Sequence, residues 1–148
     1  MRRYAAAKGL GTRVPSPFQV KLGPHLPGRE PDVLFVAREH LSRLHATWLE
    51  GPPDLAVEVV SPESAVRDWE VKYREYEAAG VGEYWVIDPD RRRAAFFVRS
   101  ADGHFRSAPS GADGRSESVV LPGLWVEVEW LWRDPLPDEV ALVEQMLG

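Results

Sequence analysis

Two apolar strands joined by a helix dominate the middle of this sequence, and the first strand contains an acid. The segment PDLAVEVVS at 53–61 predicts a strand, PESAVRDWEVKYREYEAAG at 62–80 a helix, and EYWVIDP at 83–89 a second strand. An ionised carboxylate is costly to bury unless a cation or a metal compensates its charge. Glu58 in the first strand therefore predicts a cationic neighbour, and Lys72 on the following helix is the candidate.

Length and composition predict one domain with a sizeable core, since the chain has 148 residues and 44% hydrophobic content. The absence of cysteine excludes disulfides, thiolate zinc sites and cysteine nucleophiles. No apolar run reaches the roughly 18 residues of a membrane span, and the first residues lack a signal-peptide core, so we expect a cytoplasmic protein. The formal net charge of −5 argues against a generic nucleic-acid coat. We interpret the basic stretch at 91–93 as solvated surface.

The order of two strands decides which acids can meet. The strand DVLFV begins at Asp32, and side chains alternate between the two faces of a strand. An antiparallel pair would bring Asp32 near Glu58, whereas a parallel pair would bring Asp32 opposite Asp54. The connection at 38–48 is barely long enough for a crossover, so the sequence favours the antiparallel arrangement.

Turn and cap residues mark the other elements. Ser61 and Pro62 predict a helix start, and Gly80 predicts its end. The remaining predicted elements are a short helix at 2–8, a hairpin strand at 94–99, a strand at 125–130 and a closing helix at 137–147. The histidines at 40 and 45 are five residues apart, which does not suit a helical metal pair, and we expect both at the solvated surface. Trp130 and Trp132 suggest a surface for self-association into a homo-oligomer.

Two carboxylates with a lysine behind them are typical of a site for a hard divalent cation. Oxygen atoms from Asp32, Glu58 and a backbone carbonyl near Val59 would suit Mg²⁺ or Mn²⁺. The metal would activate water at a phosphate, and Lys72 would stabilise the charge that develops. By spacing alone, a plain structural ion pair between Glu58 and Lys72 is equally consistent with the sequence.

Four segments carry a resemblance to a known family. They are PDVLFV at 31–36, PDLAVEVVSPES at 53–64, RDWEVKYREYEAAGVGEYWVIDP at 67–89 and LPGLWVEV at 121–128. Together they resemble the Uma-two family, a bacterial group of endonucleases within the PD-(D/E)xK superfamily. The resemblance implies a single α/β domain with a central mixed sheet flanked by helices, a restriction-endonuclease-like fold, and Mg²⁺-dependent cleavage of nucleic acid.

The resemblance also implies roles for individual residues. Asp32 matches the aspartate of the PD motif and Glu58 the acid of (D/E)xK, which makes both metal ligands and catalytic residues. Val60 stands where the motif has lysine, and Lys72 on the helix takes that role. Three further matches are read as supporting or structural positions: Asp54, Asp68 and Tyr76.

One departure from the family pattern leaves three hypotheses open. Family members usually begin with a longer region that includes an acidic helix and an ELxxGE-like segment, so we expect 1–148 to be one nuclease-like domain without that helix. The first hypothesis is a Mg²⁺-dependent endonuclease that hydrolyses DNA phosphodiester bonds. The second is an inactive or partner-dependent relative that binds nucleic acid or protein, and the third is a purely structural interaction domain.

Overall fold

A six-stranded mixed sheet forms the centre of the molecule. The computed structural model describes residues 1–148. Its strands in chain order are β1 Gly11–Pro15, β2 Gln19–Lys21, β3 Gly28–Arg29, β4 Val33–Ala37, β5 Trp48–Glu50, β6 Leu55–Val59, β7 Glu83–Asp88, β8 Arg93–Arg99, β9 Phe105–Ser107, β10 Arg115–Glu117 and β11 Trp125–Glu127. The central sheet has the order β1-β4-β6-β7-β8-β9, and β3-β2-β5 and β10-β11 form two small sheets.

Helices cover both faces of the central sheet. They are α1 Arg2–Lys8, α2 Lys72–Ala79 and α3 Glu139–Leu147, with 3₁₀ helices at Arg38–Arg43 and Val128–Trp132 and a π-helical turn at Arg67–Val71 that runs into α2. One face packs against α2 through buried residues such as Tyr76 and Tyr84. The other packs against α1 and α3 through residues such as Tyr4, Trp85 and Val143. This two-sided burial explains why the central strands are almost continuously apolar.

The only parallel pair in the central sheet, β6 with β7, is the one that the helix connects. Parallel neighbours need a crossover, and α2 with its π-helical turn supplies it. All other neighbours in this sheet pair antiparallel. The crossover leaves β6 at its carboxyl end, so the helix begins beside the last residues of that strand.

The predicted ends of the first two helices are confirmed. Gly9 and Gly80 follow α1 and α2 with left-handed backbone angles, φ 63° and φ 94°. The N–H of Gly80 donates to the carbonyls of Tyr76 and Glu77. Glycine adopts this conformation without the steric cost that other residues meet, which is why it ends helices.

Two element predictions need correction. Ser61 does not cap the helix with its hydroxyl; instead its backbone N–H donates to Ser64 Oγ at 3.0 Å, in a turn that precedes the π-helical turn. The strand predicted at 125–130 ends at Glu127 and continues as a 3₁₀ helix, in which the centroid of the Trp130 ring lies 4.9 Å from that of Trp125. The connection at 38–48 contains a short 3₁₀ helix and leads into β5, in agreement with the preference against a crossover helix.

No helix of the protein combines the length and the apolar character needed to span a membrane.

Candidate active site

The antiparallel pairing of β4 with β6 brings Asp32 to Glu58. Val33 pairs with Val57, so the next position along places Asp32 opposite Glu58. One carboxylate oxygen of Asp32 accepts a hydrogen bond from the backbone N–H of Val59 at 2.7 Å. The antiparallel pairing that the sequence favoured is therefore correct. Asp32 lies at the carboxyl end of β6, and its side chain is exposed.

Glu58 is a buried carboxylate with two specific partners. The residue is 2% exposed. Its Oε1 accepts a hydrogen bond from the Tyr76 hydroxyl at 2.7 Å, and its Oε2 lies 2.9 Å from Lys72 Nζ. Burial raises the pKa of Glu58 to about 7, although the Lys72 ammonium and the Tyr76 hydroxyl act to lower it. The carboxyl group can therefore exchange a proton near neutral pH.

Tyr76 serves Glu58 as a hydrogen-bond donor. It lies on α2 one turn after Lys72 and is fully buried. Burial, followed by the nearby Glu58 carboxylate, raises the pKa of Tyr76, so its hydroxyl stays protonated. Two side chains from one face of α2 thus fix both oxygens of Glu58.

Asp68 holds the other side of Lys72. Its Oδ1 is 2.8 Å from Lys72 Nζ, and Ser64 Oγ donates to its Oδ2. The carbonyl oxygen of Asp68 accepts a hydrogen bond from the Tyr84 hydroxyl at 2.7 Å. Oδ1 is buried and accepts no well-aligned hydrogen bond. The Lys72 ammonium therefore balances the charge of this oxygen without satisfying its hydrogen-bonding capacity. Lys72 is consequently shared between two buried carboxylates, Glu58 and Asp68.

A π-helical turn shapes this arrangement. Asp68 lies within Arg67–Val71, immediately before α2. Such turns contain an extra residue and occur often at functional sites, because they change the direction in which side chains project. Here the turn and the first turn of α2 direct Asp68 and Lys72 to the same point.

Asp54 lies apart from the cluster, at the opposite end of β6. Its Oδ2 accepts a hydrogen bond from the backbone N–H of Ala37 at 2.7 Å, and its Oδ1 lies 2.8 Å from His40 Nδ1. The resemblance left Asp54 as either a supporting or a structural residue. Its contacts fit the structural role, because they join the start of β6 to the end of β4. His40, expected at the solvated surface, keeps 42% of its side chain exposed while it pairs with the Asp54 carboxylate.

Sequence reasoning missed several residues that support the cluster. Ser64 and Tyr84 both fix Asp68, as described above. Arg29 on β3 donates two hydrogen bonds to Glu75 on α2, at 2.6 and 2.7 Å, and so fastens the small sheet to the helix that bears Lys72. The spacing of Ser64 four residues before Asp68 was a usable signal; nothing local pointed to Arg29 or Tyr84.

The carboxylates at this edge of the sheet fit one kind of metal site and not another. No cluster of three or more His, Cys, Asp or Glu side chains is arranged to hold a metal ion. Mg²⁺, however, often binds through one or two carboxylates and completes its shell with water and substrate phosphate. Asp32 and Glu58 fit such a shared site, whereas the residues present do not form a closed cage for a tightly held metal.

A cavity lies on the opposite face of the sheet. Its volume is about 810 Å³, and it is lined by residues that include Arg13, Val57 and Trp85. Val57 precedes Glu58 on β6, and alternate residues of a strand point to opposite faces. Neither Asp32, Glu58 nor Lys72 lines this cavity, so the cavity and the acidic cluster are separate features on opposite faces of the sheet.

The sequence matches a family model described as "Putative restriction endonuclease", Uma2, over residues 1–129. The chain belongs to the Uma2 family. This confirms the family resemblance carried by the segments around Asp32, Glu58 and Lys72.

A solved structure supports the fold of this Uma2 protein. A crystal structure of a putative nuclease belonging to DUF820 from Anabaena variabilis matches with a TM-score of 0.66 at 16% sequence identity, over 88% of this chain and 72% of that chain. The single α/β domain with a mixed central sheet and a restriction-endonuclease-like fold is thereby confirmed. No curated protein matches the chain.

Proposed function

We propose that this Uma2 protein is a Mg²⁺- or Mn²⁺-dependent endonuclease that hydrolyses phosphodiester bonds of DNA. One observation carries the proposal: the Lys72 ammonium is held between Glu58 and Asp68 at the strand edge where Asp32 is exposed. A purely structural ion pair requires one carboxylate, not two, and requires no exposed acid beside it. The family and the nuclease-like neighbour support the same reaction class.

Each residue has a chemical task in this proposal. Asp32 and Glu58 hold the metal through carboxylate oxygens, and Tyr76 fixes the orientation of Glu58. A bound divalent metal supplies polarisation of the scissile phosphate and a lowered pKa of coordinated water. Lys72 stabilises the negative charge that develops on the phosphate oxygens, and Asp68 with Ser64 keeps the ammonium in position.

Metal and substrate should bind together. Two carboxylates leave most of the metal shell to water and phosphate, so Mn²⁺ alone should bind weakly and DNA should strengthen the binding. Calorimetric titration with Mn²⁺, with and without a non-cleavable DNA duplex, measures this coupling. Glu58→Ala should abolish Mn²⁺ binding in both titrations, and unchanged binding in that variant would refute the assigned ligand.

Cleavage assays on supercoiled plasmid and on labelled duplexes test the reaction itself. Lys72→Ala removes the ammonium, and Lys72→Arg keeps a positive charge but replaces the compact group with a wider one. Both should lower the cleavage rate by roughly a hundredfold or more. Asp54→Asn is the matched control on the same strand and should cleave like the native protein. Circular dichroism confirms that each variant is folded.

A second function is favoured by the small number of acids that could hold a metal. Because no three-acid cluster is present, a relative that binds nucleic acid without cutting it also fits the structure. Such a protein would bind DNA in a salt-dependent way and would bind equally well after Lys72→Ala. Cleavage that depends on Lys72 and on an added divalent metal rejects this alternative.

A further inference from the structure

An arginine-rich turn lies at the same edge of the sheet as the acidic cluster. β6 and β7 run parallel, with Glu58 beside Val86, so both strands end at this edge. The chain then turns and returns as β8, in which Arg93 pairs with Asp88. With strands about 4.8 Å apart and a rise of about 3.3 Å per residue, the Cα atoms of Glu58 and Arg93 are roughly 12 Å apart. We refer to residues 91–93 as the arginine turn.

The side chain of Arg93 stacks on the aromatic ring of Trp69. Its guanidinium carbon lies 4.1 Å from the centroid of the Trp69 ring. Trp69 follows Asp68 in the π-helical turn, so Arg93 stands on the face of the sheet that carries Lys72. A guanidinium stacked on a ring keeps the N–H donors at its rim free, and those donors match a phosphate in a bidentate manner.

The charges of the arginine turn are largely uncompensated. Arg92 and Arg93 are exposed and form no ion pair, and Arg91 lies 3.2 Å from Asp88 with 67% of its side chain exposed. An exposed acid, Asp90, immediately precedes the turn. At the other end of β8, by contrast, Arg106 is 2.6 Å from Asp102 with similar exposure, 62%. In a protein with an excess of acids, these free arginines form a local positive surface beside the cluster, which favours an anionic partner.

Arg92 occupies an unfavourable backbone conformation. Its φ of 46° makes it the only non-glycine residue with a positive φ. Glycine or asparagine would adopt this left-handed conformation at lower cost. Strained residues of this kind cluster at ligand-binding sites, where the side chain is retained for contact.

We propose that the arginine turn binds backbone phosphates of the nucleic-acid strand that flank the scissile phosphate. This inference rests on the proposed nuclease function and adds to it the surface that holds the substrate. Contacts from arginine to phosphate position a strand without reading its sequence. The turn therefore supplies affinity that falls with salt, and it does so locally on a chain whose overall charge is negative.

Fluorescence anisotropy of a labelled DNA duplex tests the surface, with EDTA present so that cleavage does not change the probe. The double variant Arg91→Ala/Arg93→Ala should weaken binding roughly tenfold or more and should lower the slope of log affinity against log salt by about 2. Arg106→Ala is the matched control and should bind like the native protein. Native-like binding by the double variant, equal losses in the control, or no binding by the native protein would each overturn the inference.

Arg92→Gly separates a binding role from a structural one. Relief of the left-handed conformation should keep or raise the thermal midpoint, whereas loss of the guanidinium should weaken DNA binding several-fold. An unchanged affinity in this variant would contradict a role for Arg92 in binding.

Cleavage assays on the same proteins distinguish failure of this inference from failure of the proposed reaction. If the native protein cleaves and the double variant keeps its full kcat/KM, the reaction stands and the binding surface is wrong. If the native protein binds DNA through these arginines but cleaves with neither Mg²⁺ nor Mn²⁺, the reaction is wrong and the binding surface stands.

Discussion

Two glutamates on neighbouring parallel strands are almost fully buried, and their surroundings differ. Glu58 on β6 is 2% exposed and Glu83 on β7 is 1% exposed. Glu83 receives four neutral donors, which are the Trp85 indole N–H at 2.7 Å, the Ser118 hydroxyl at 2.9 Å and the backbone N–H groups of Val119 and Val120, both at 3.1 Å. Glu58 receives one neutral donor, Tyr76, and one cation, Lys72.

The difference separates a carboxylate saturated by neutral donors from one that shares a cation with a second acid. The donors around Glu83 saturate its oxygens and attach the 118–120 segment to the sheet, so nothing is left for a ligand. Glu58 shares its cation with Asp68 and lies at the strand edge, beside exposed Asp32. A bound metal or phosphate can therefore redistribute charge around Glu58. The burial of the two glutamates is nearly the same and by itself would not indicate this difference.

The sharpest contrast is expected in the cleavage rate. Glu58→Gln removes the ligand charge and should lower the rate by roughly a thousandfold, since a metal contributes several kcal/mol to the transition state. Glu83→Gln should leave the rate per folded molecule within a few-fold of native. Single-turnover cleavage with saturating Mg²⁺ measures both, and comparable losses in the two variants would remove the distinction between the sites.

Stability should respond in the opposite order. Glu83→Ala leaves four donors without an acceptor, two of them fully buried, and should lower the free energy of unfolding by about 4 kcal/mol. Glu58→Gln keeps the volume and an acceptor for Tyr76, and should cost far less. Urea denaturation monitored by tryptophan fluorescence provides the comparison, and a stable Glu83→Ala protein would show that the 118–120 segment does not depend on this carboxylate.

Glu58 should also make stability depend on pH. Its pKa in the folded protein, about 7, lies above the ordinary value of 4.5. The folded state then binds the proton more tightly than the unfolded chain, so the contribution is fully present below about pH 4.5 and is lost as the pH rises to about 7. The loss is on the order of 3 kcal/mol. Unfolding in EDTA should show this slope for native protein and not for Glu58→Gln.

The smallest effect is expected at Asp54, which lies on the same strand as Glu58 but away from the edge. Asp54→Ala removes the contacts to Ala37 and His40 and should cost about 1 kcal/mol of stability. Cleavage per folded molecule should remain native. A large loss of cleavage in this variant would mean that the site extends along the whole of β6.

Local sequence patterns predicted the strands and the crossover helix well, because burial on both faces leaves continuous apolar runs and because Gly80 and Gly9 end helices for steric reasons. The patterns failed where alternative local hydrogen bonds compete with the predicted cap or strand. Ser64 accepts from the N–H of Ser61, and the chain beyond Glu127 tightens into a 3₁₀ helix. Such choices are worth little energy and depend on neighbours that are distant in sequence.

The sequence by itself predicted a compensating partner for Glu58 and indicated Lys72 as that partner and Asp32 as a neighbour, although Glu83 shows that neutral donors can also compensate a buried acid. Only the tertiary structure decided whether Asp32 lies opposite Glu58 or opposite Asp54, because the choice depends on strand direction and register. It also decided the part played by Glu83, whose donors at Ser118, Val119 and Val120 lie more than thirty residues away. A carboxylate becomes structural or chemical according to which donors surround it, and long-range packing supplies those donors.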